Sequence, residues 1–187
     1  MNADDILAFW FQNDPEIFRS DPWFRKSDAF DDDIRARFAL TVDAARDGVL
    51  DPWAASPRGT LALLLALDQF PRNIHRGSHL AFAGDAHARR IARAAIATGI
   101  EAHLTKVERA FLYLPFEHSE SIADQDESIR LFTTIADDPQ MPTVFDYAER
   151  HRDVIRRFGR FPHRNAALGR INTPAEEDYL AQPGAGF

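Results

Sequence analysis

The 187-residue chain has no cysteine, which excludes a disulfide framework, a Cys-ligated zinc or iron–sulfur centre and a thiol nucleophile. Lysine is nearly absent: only Lys26 and Lys106 occur, so almost all positive charge is arginine, whose planar fork suits carboxylate or phosphate. No Gly-x-Gly-x-x-Gly or P-loop segment is present, which excludes the usual nucleotide-binding loops, and no Gly-x-Ser-x-Gly elbow supports a serine nucleophile. The uncharged run Gly59–Leu67 falls far short of the roughly 20 apolar residues that span a bilayer. The first residues, Met1-Asn2-Ala3-Asp4-Asp5, are acidic where a signal peptide would be basic. A metal site lacks its pattern: there is no His-Glu-x-x-His, and no histidine has an acid three positions before it. His75, His79 and His163 have arginine there instead, which favours an anion over a cation. The expectation is a soluble, cytoplasmic protein without cofactor, metal, membrane or nucleic-acid partner.

What is present is a full complement of core residues and a lopsided charge. Hydrophobic residues make up 45% of the chain and charged residues 27%, enough apolar matter to exclude a disordered chain. The net charge of −7 argues against a general nucleic-acid binder. Residues 1–33 carry nine acids, and residues 150–170 carry seven arginines against Asp153 alone. The plain explanation of this polarity is that the two ends pair with each other.

The periodicity is helical throughout, with no sustained alternation and no Asn-Gly or Asp-Gly hairpin. Asp4 is expected to cap a first helix bearing Ile6, Leu7, Trp10 and Phe11. Ser27 is expected to cap a second, with Phe30, Ile34, Phe38 and Val42 on one stripe up to Gly48. Ser56-Pro57 opens the run Leu61–Leu67, and a helix over Asp85–Thr98 stops at Gly99. Thr105-Lys-Val-Glu108 and Thr173-Pro-Ala-Glu176 are capping boxes. Further helices span about Ser121–Ile135 and, on the spacing of Val144, Ala148, His151, Ile155 and Phe158, the stretch before Gly159. The reading is one all-α domain over 1–187, with seven or eight helices as antiparallel hairpins and a frayed tail from about 182. No repeat of roughly 34 residues with the tetratricopeptide pattern is found.

Three proline junctions concentrate the polar residues: Leu67-Asp-Gln-Phe-Pro-Arg-Asn73, Leu114-Pro-Phe-Glu-His-Ser-Glu120 and Gly159-Arg-Phe-Pro-His-Arg-Asn165. Together with Ile6-Leu-x-Phe-Trp-Phe11, the Trp23-Phe24 pair and the Thr173 segment, these resemble the bacterial domain-of-unknown-function family 924. The resemblance spans essentially the whole chain. It implies a soluble, all-helical, tetratricopeptide-like fold and no established activity or catalytic residues.

From the residues alone, Asp68 and Glu117 are the candidate acid/base carboxylates, because burial beside a helix break raises a carboxyl pKa and a facing Arg lowers it. His118 is the candidate catalytic proton shuttle, and His163 is a second candidate shuttle in the binding set. Gln69, Arg72, Asn73, Arg160, His163, Arg164 and Asn165 are the candidate ligand-binding residues for a small anionic ligand or a peptide terminus. Three functions remain open: a binding module for such a ligand, a small cofactor-free enzyme using Glu117 or Asp68, and a structural or oligomerisation role with the clusters as internal struts. In the strut version, Asp68 pairs with Arg72 and Glu117 with Arg164. Phe9-Trp10-Phe11 and Trp23-Phe24 read as core. The oligomeric state is not encoded in these patterns.

Overall fold

A computed structural model of the chain describes residues 1–186. Local signals place most of its boundaries. Helix α1 (Ala3–Phe11) starts two residues earlier than expected: Asn2, not Asp4, is the cap, and it exchanges hydrogen bonds with Asp5 in a capping box. A short turn, α2 (Ser20–Trp23), precedes α3 (Asp28–Arg46), whose Ser27 side chain accepts from the Phe30 N–H. Ser56 likewise caps α4 (Pro57–Leu64) through the Gly59 N–H, with Pro57 at the first helical position, where a missing N–H is harmless.

The chain then continues through a π-helical turn, Leu65–Gln69, into α5 (Phe70–Ile74). Pro71 has no N–H for the carbonyl four residues back, and one widened turn lets the helix run on past it. The Leu67 carbonyl oxygen is met instead by Gly84, where a Cβ would stand 2.2 Å away; only glycine permits that approach. Every residue from Leu61 to Leu67 is buried, so this rod is the centre of the molecule rather than a surface helix. It packs against α1, α3, α6 (Asp85–Ala97) and α7 (Lys106–Glu117).

Helices α6, α7, α8 (Ile122–Thr133) and α9 (Val144–Phe158) each pack on the next. The Thr105–Glu108 capping box opens α7, which runs unbroken through Pro115. Gly99 and Gly159 take left-handed conformations where α6 and α9 end. Beyond α9, a 3-10 turn (Pro162–Arg164) leads to α10 (Pro174–Leu180), opened by the Thr173–Glu176 capping box. In the tail, the Gly184 carbonyl accepts from Arg150. Phe187 lies outside the described residues. Among the described residues there is no strand, and no helix is long and apolar enough to cross a membrane.

One large apolar cluster runs from α1 to Ala148, and a smaller one joins Val154, Ile155 and Phe161 to Phe158 and Tyr179. The charge polarity is not resolved by end-to-end pairing. Asp4 pairs with Arg58 and Asp31 with Arg76, whereas Arg164 reaches Asp85, Arg170 reaches Glu120 and Arg160 reaches Glu176. Each pole is answered locally or from the middle of the chain.

Candidate functional site

Pro71 and the π turn bring the first polar motif to the C-terminal end of α7. Asp68, one percent exposed, lies 2.7 Å from His118 Nδ1 and 3.1 Å from Arg72 Nη1, and the Gln69 amide donates to its other oxygen. Burial alone would raise the Asp68 pKa; Arg72, His118 and Gln69 outweigh it and hold this carboxylate well below the ordinary range. His118 is pushed down by burial and by Arg72 despite its aspartate partner, so its resting form is the neutral imidazole. With Asp68 ionised, Nδ1 is the donor and Nε2 carries the lone pair.

Glu117 precedes His118 on the last turn of α7 and has the opposite environment. It is buried, His151 Nδ1 of α9 lies 3.1 Å from it, and that nitrogen also faces the Tyr147 carbonyl at 2.8 Å. Burial, with the nearby Asp68 charge, pushes the Glu117 pKa up to about 8. His151 is driven down by burial and by His118. Two neighbouring carboxyls are thus split, Asp68 ionised and Glu117 protonated at neutral pH, the arrangement from which acid and base roles are assigned. The α7 terminus that carries Glu117 and His118 is held by Gln125 of α8, whose amide donates to the carbonyls of Glu117 (2.6 Å) and Ser119 (2.7 Å).

These groups face a cavity of about 340 Å³. Gln69, Arg72, Asn73, Arg76, Glu117, His118 and His151 line its polar end; Phe18, Trp23, Phe24, Leu114, Phe132, Val144 and Tyr147 line the rest. Trp23 is fixed behind the wall, its indole N–H donating to the Trp10 carbonyl at 2.9 Å and its ring edge-on to Phe111 at 4.9 Å. The Trp23-Phe24 pair is therefore only half core: Trp23 is buried, while Phe24 is 55% exposed and both line the cavity. Around the polar end, Asp31 of α3 receives Asn73 at 2.7 Å and the Arg76 guanidinium at two points.

The third motif takes a different place. Arg72 grips Asp85 through both oxygens (3.0 and 3.1 Å), and Arg164 reaches the same carboxylate at 3.2 Å, so the partner of Arg164 is Asp85 and not Glu117. Arg164 is sandwiched between Phe82 (4.7 Å) and Phe161 (4.5 Å); burial and the Arg72 charge lower its pKa to about 10. His163 is lowered to about 4 by burial and by Arg164. Arg160 forms a two-point pair with Glu176 (2.6 and 2.7 Å), and Asn165 donates to Asn172 at 2.8 Å. The structure thus brings Gln69, Arg72, Asn73, Glu117 and His118 together in the cavity lining, holds Asp68 against His118 and Arg72 without itself lining the cavity, and leaves Arg160, His163, Arg164 and Asn165 outside the lining. Among the described residues no group of three His, Asp or Glu side chains is placed to hold a metal ion.

Sequence reasoning had no role for Asp85, Asp31, Arg76 or Gln125, and treated His151 only as a helical-face residue. A histidine on an otherwise apolar stripe was the available signal for His151. Asp85 enters the sequence reading only as the start of a helix, and nothing local marks it as the bridge between two arginines.

The sequence matches the family described as bacterial protein of unknown function DUF924 over residues 6–184. The chain belongs to this family. It is similar to a solved protein of unknown function from Agrobacterium tumefaciens, with 41% identity over 96% of each chain and a TM-score of 0.87. No curated protein matches it.

Proposed function

We propose that the cavity between the N-terminal aromatics and the α7–α9 end binds a small organic molecule with an apolar body and a polar head, and that Glu117 and His118 act on that head as an acid–base pair. The observation that carries this reading is the shared wall: a buried carboxyl whose close partner is the His151 ring and an imidazole oriented by a carboxylate line the same cavity. The cavity volume falls within the roughly 300–1,000 Å³ range of small-ligand sites, and its mixture of aromatic walls and few convergent polar groups is what such sites show. Internal struts account for the Arg72–Asp85–Arg164 bridge, but a strut has no use for open space beside Glu117.

The chemistry available is cofactor-free. Glu117 in its protonated form donates to an oxygen of the ligand, and Nε2 of His118, with Asp68 holding Nδ1–H, accepts a proton from it. Arg160, Arg164 and Asn165, expected to hold an anion, contribute instead to the architecture on which the cavity rests.

A thermal-shift screen of small organic molecules tests the binding step. A ligand at 100-fold over its dissociation constant stabilises by about 2.7 kcal/mol, worth roughly 5–10 °C for a chain of this length. Ala110→Leu, which projects methyl groups into the cavity, should abolish the shift while leaving the protein folded. Hits that survive Ala110→Leu would place binding elsewhere. For the catalytic step, a hit converted to product should lose turnover in both Glu117→Gln and His118→Gln; turnover that persists in either removes that residue from the pair.

A further inference from the structure

Glu117 is the anomaly of the polar end. The arginines of the first and third motifs are committed to aspartates: Arg72 and Arg164 to Asp85, Arg76 to Asp31, and Arg72 also to Asp68. Three arginines against Asp31, Asp68 and Asp85 cancel, and Glu117 has the neutral His151 ring beside it in place of a guanidinium among the described residues. We infer that the cavity takes a monocarboxylic acid with an apolar body, its carboxylate sharing one proton with the Glu117 carboxyl. The inference rests on the ligand-binding reading above and names its ligand class.

The argument is one of complementarity. A phosphate dianion needs surplus positive charge, and none is uncommitted. An ammonium group would meet the guanidiniums of Arg72 and Arg76 at the polar end, charges of its own sign. A carboxylate needs a single strong donor, and a protonated carboxyl supplies it: two carboxyls a hydrogen bond apart share one proton because both cannot ionise together. The remaining stabilisation is at hand. Arg72 and Arg76 both line the cavity; Arg72 spends its Nη groups on Asp85 and Arg76 spends Nε and Nη2 on Asp31, so Arg72 Nε and Arg76 Nη1 stay uncommitted to described residues. Trp23, Phe24 and Leu114 offer the body an apolar bed.

Proton sharing predicts a pH signature. The groups that face Glu117 are His151 from α9, Asp68 from the π turn, Arg72 from α5 and His118 at its own helix end. Both histidines are neutral through the alkaline range and Asp68 is ionised there, so the proton lost on raising the pH is that of Glu117. Carboxylate affinity should stay level from pH 6 to 7.5 and fall about tenfold per pH unit above about 8.

The experiment titrates the whole protein with 4-phenylbutyrate, 4-phenylbutyramide and 4-phenylbutylamine, read by calorimetry and by the fluorescence of the Trp23–Trp10 pair. The expected result is acid bound at least tenfold more tightly than amide or amine at pH 7, with the alkaline fall present in the wild type. In Glu117→Gln, whose amide still donates a hydrogen bond, affinity at pH 7 should stay within a few-fold and the alkaline fall should vanish. If Glu117→Gln fails to fold, Ala110→Leu serves as the check that the signal comes from the cavity. Amide or amine bound as tightly as acid, in a manner blocked by Ala110→Leu, overturns the ligand class and leaves the pocket reading standing. Acid binding that ignores pH 8–9.5 overturns proton sharing. No binding by any of the three overturns the inference, and a flat thermal-shift screen in addition overturns the pocket reading.

Discussion

Two polar regions of this molecule are built from the same residue types and end in different states. Around Arg160, Arg170 and Asn165, each side chain has a partner: Arg160 with Glu176, Arg170 with Glu120 at 2.8 and 2.9 Å, Asn165 with Asn172, while Arg170 Nε and Asn165 Oδ1 stay buried without a hydrogen bond to any described residue. These pairs tie the chain after α9 back onto the body. Around Glu117 and His118 the matching is incomplete, and what is unmatched faces a cavity. Structural need explains closed pairs, since a buried charge demands a partner. It does not explain a buried carboxyl that has an imidazole for its close partner and lines open space. The lesson is that a dense polar motif is read by whether its groups face open space, not by its density.

The comparison breaks most sharply at the bridge between the regions. Arg164→Met removes one cation from Asp85 and the guanidinium packed between Phe82 and Phe161, and should cost about 3 kcal/mol in chemical denaturation. A neutral result would move Arg164 out of the architecture. Gly84→Ala drives a Cβ to 2.2 Å from the Leu67 carbonyl and should cost about 2–3 kcal/mol by forcing the π turn away from α6. Retained stability would show that the turn has another solution.

The cavity side should respond with the opposite sign. A carboxyl whose pKa is raised on folding holds its proton in the native chain and has lost it in the unfolded chain between about 4.5 and about 8. Stability therefore falls as pH rises across that window, by about 1.4 kcal/mol per pH unit, and levels off above it. Glu117→Gln should gain about 2 kcal/mol relative to wild type between pH 6 and 7.5 in urea denaturation. His151, pushed down on folding, works the other way below its ordinary pKa near 6.5, which is why the difference between wild type and Glu117→Gln isolates the carboxyl. The smallest effect belongs to Arg160→Met, which should loosen residues 171–182 and raise their hydrogen exchange while leaving exchange in α4 and α7 unchanged.

Much of this fold was legible. Caps at Ser27, Ser56, Thr105 and Thr173 act on the backbone within three residues, so sequence displays them directly. The candidate site was legible as residues but not as an arrangement. Asp68, Glu117 and His118 were found because three proline junctions concentrate polarity, whereas the partner of Arg164 was misassigned: Asp85 lies 79 residues away and nothing local advertises it. The π turn escaped because one inserted residue hardly disturbs a fully apolar run. The cavity escaped because empty space has no sequence signature, and its aromatic wall reads as core from Trp10 to Phe24.

The most direct test of the account is the titration of the Glu117 carboxyl itself, followed by its side-chain carbon resonance in the intact protein and assigned by its disappearance in Glu117→Gln. The account predicts a midpoint near 8, with the Asp68 carboxyl still ionised at the acid end of the folded range. A Glu117 midpoint near the ordinary 4.5 would mean that water or a cation already satisfies this carboxylate, and the acid assigned to the cavity wall would be gone.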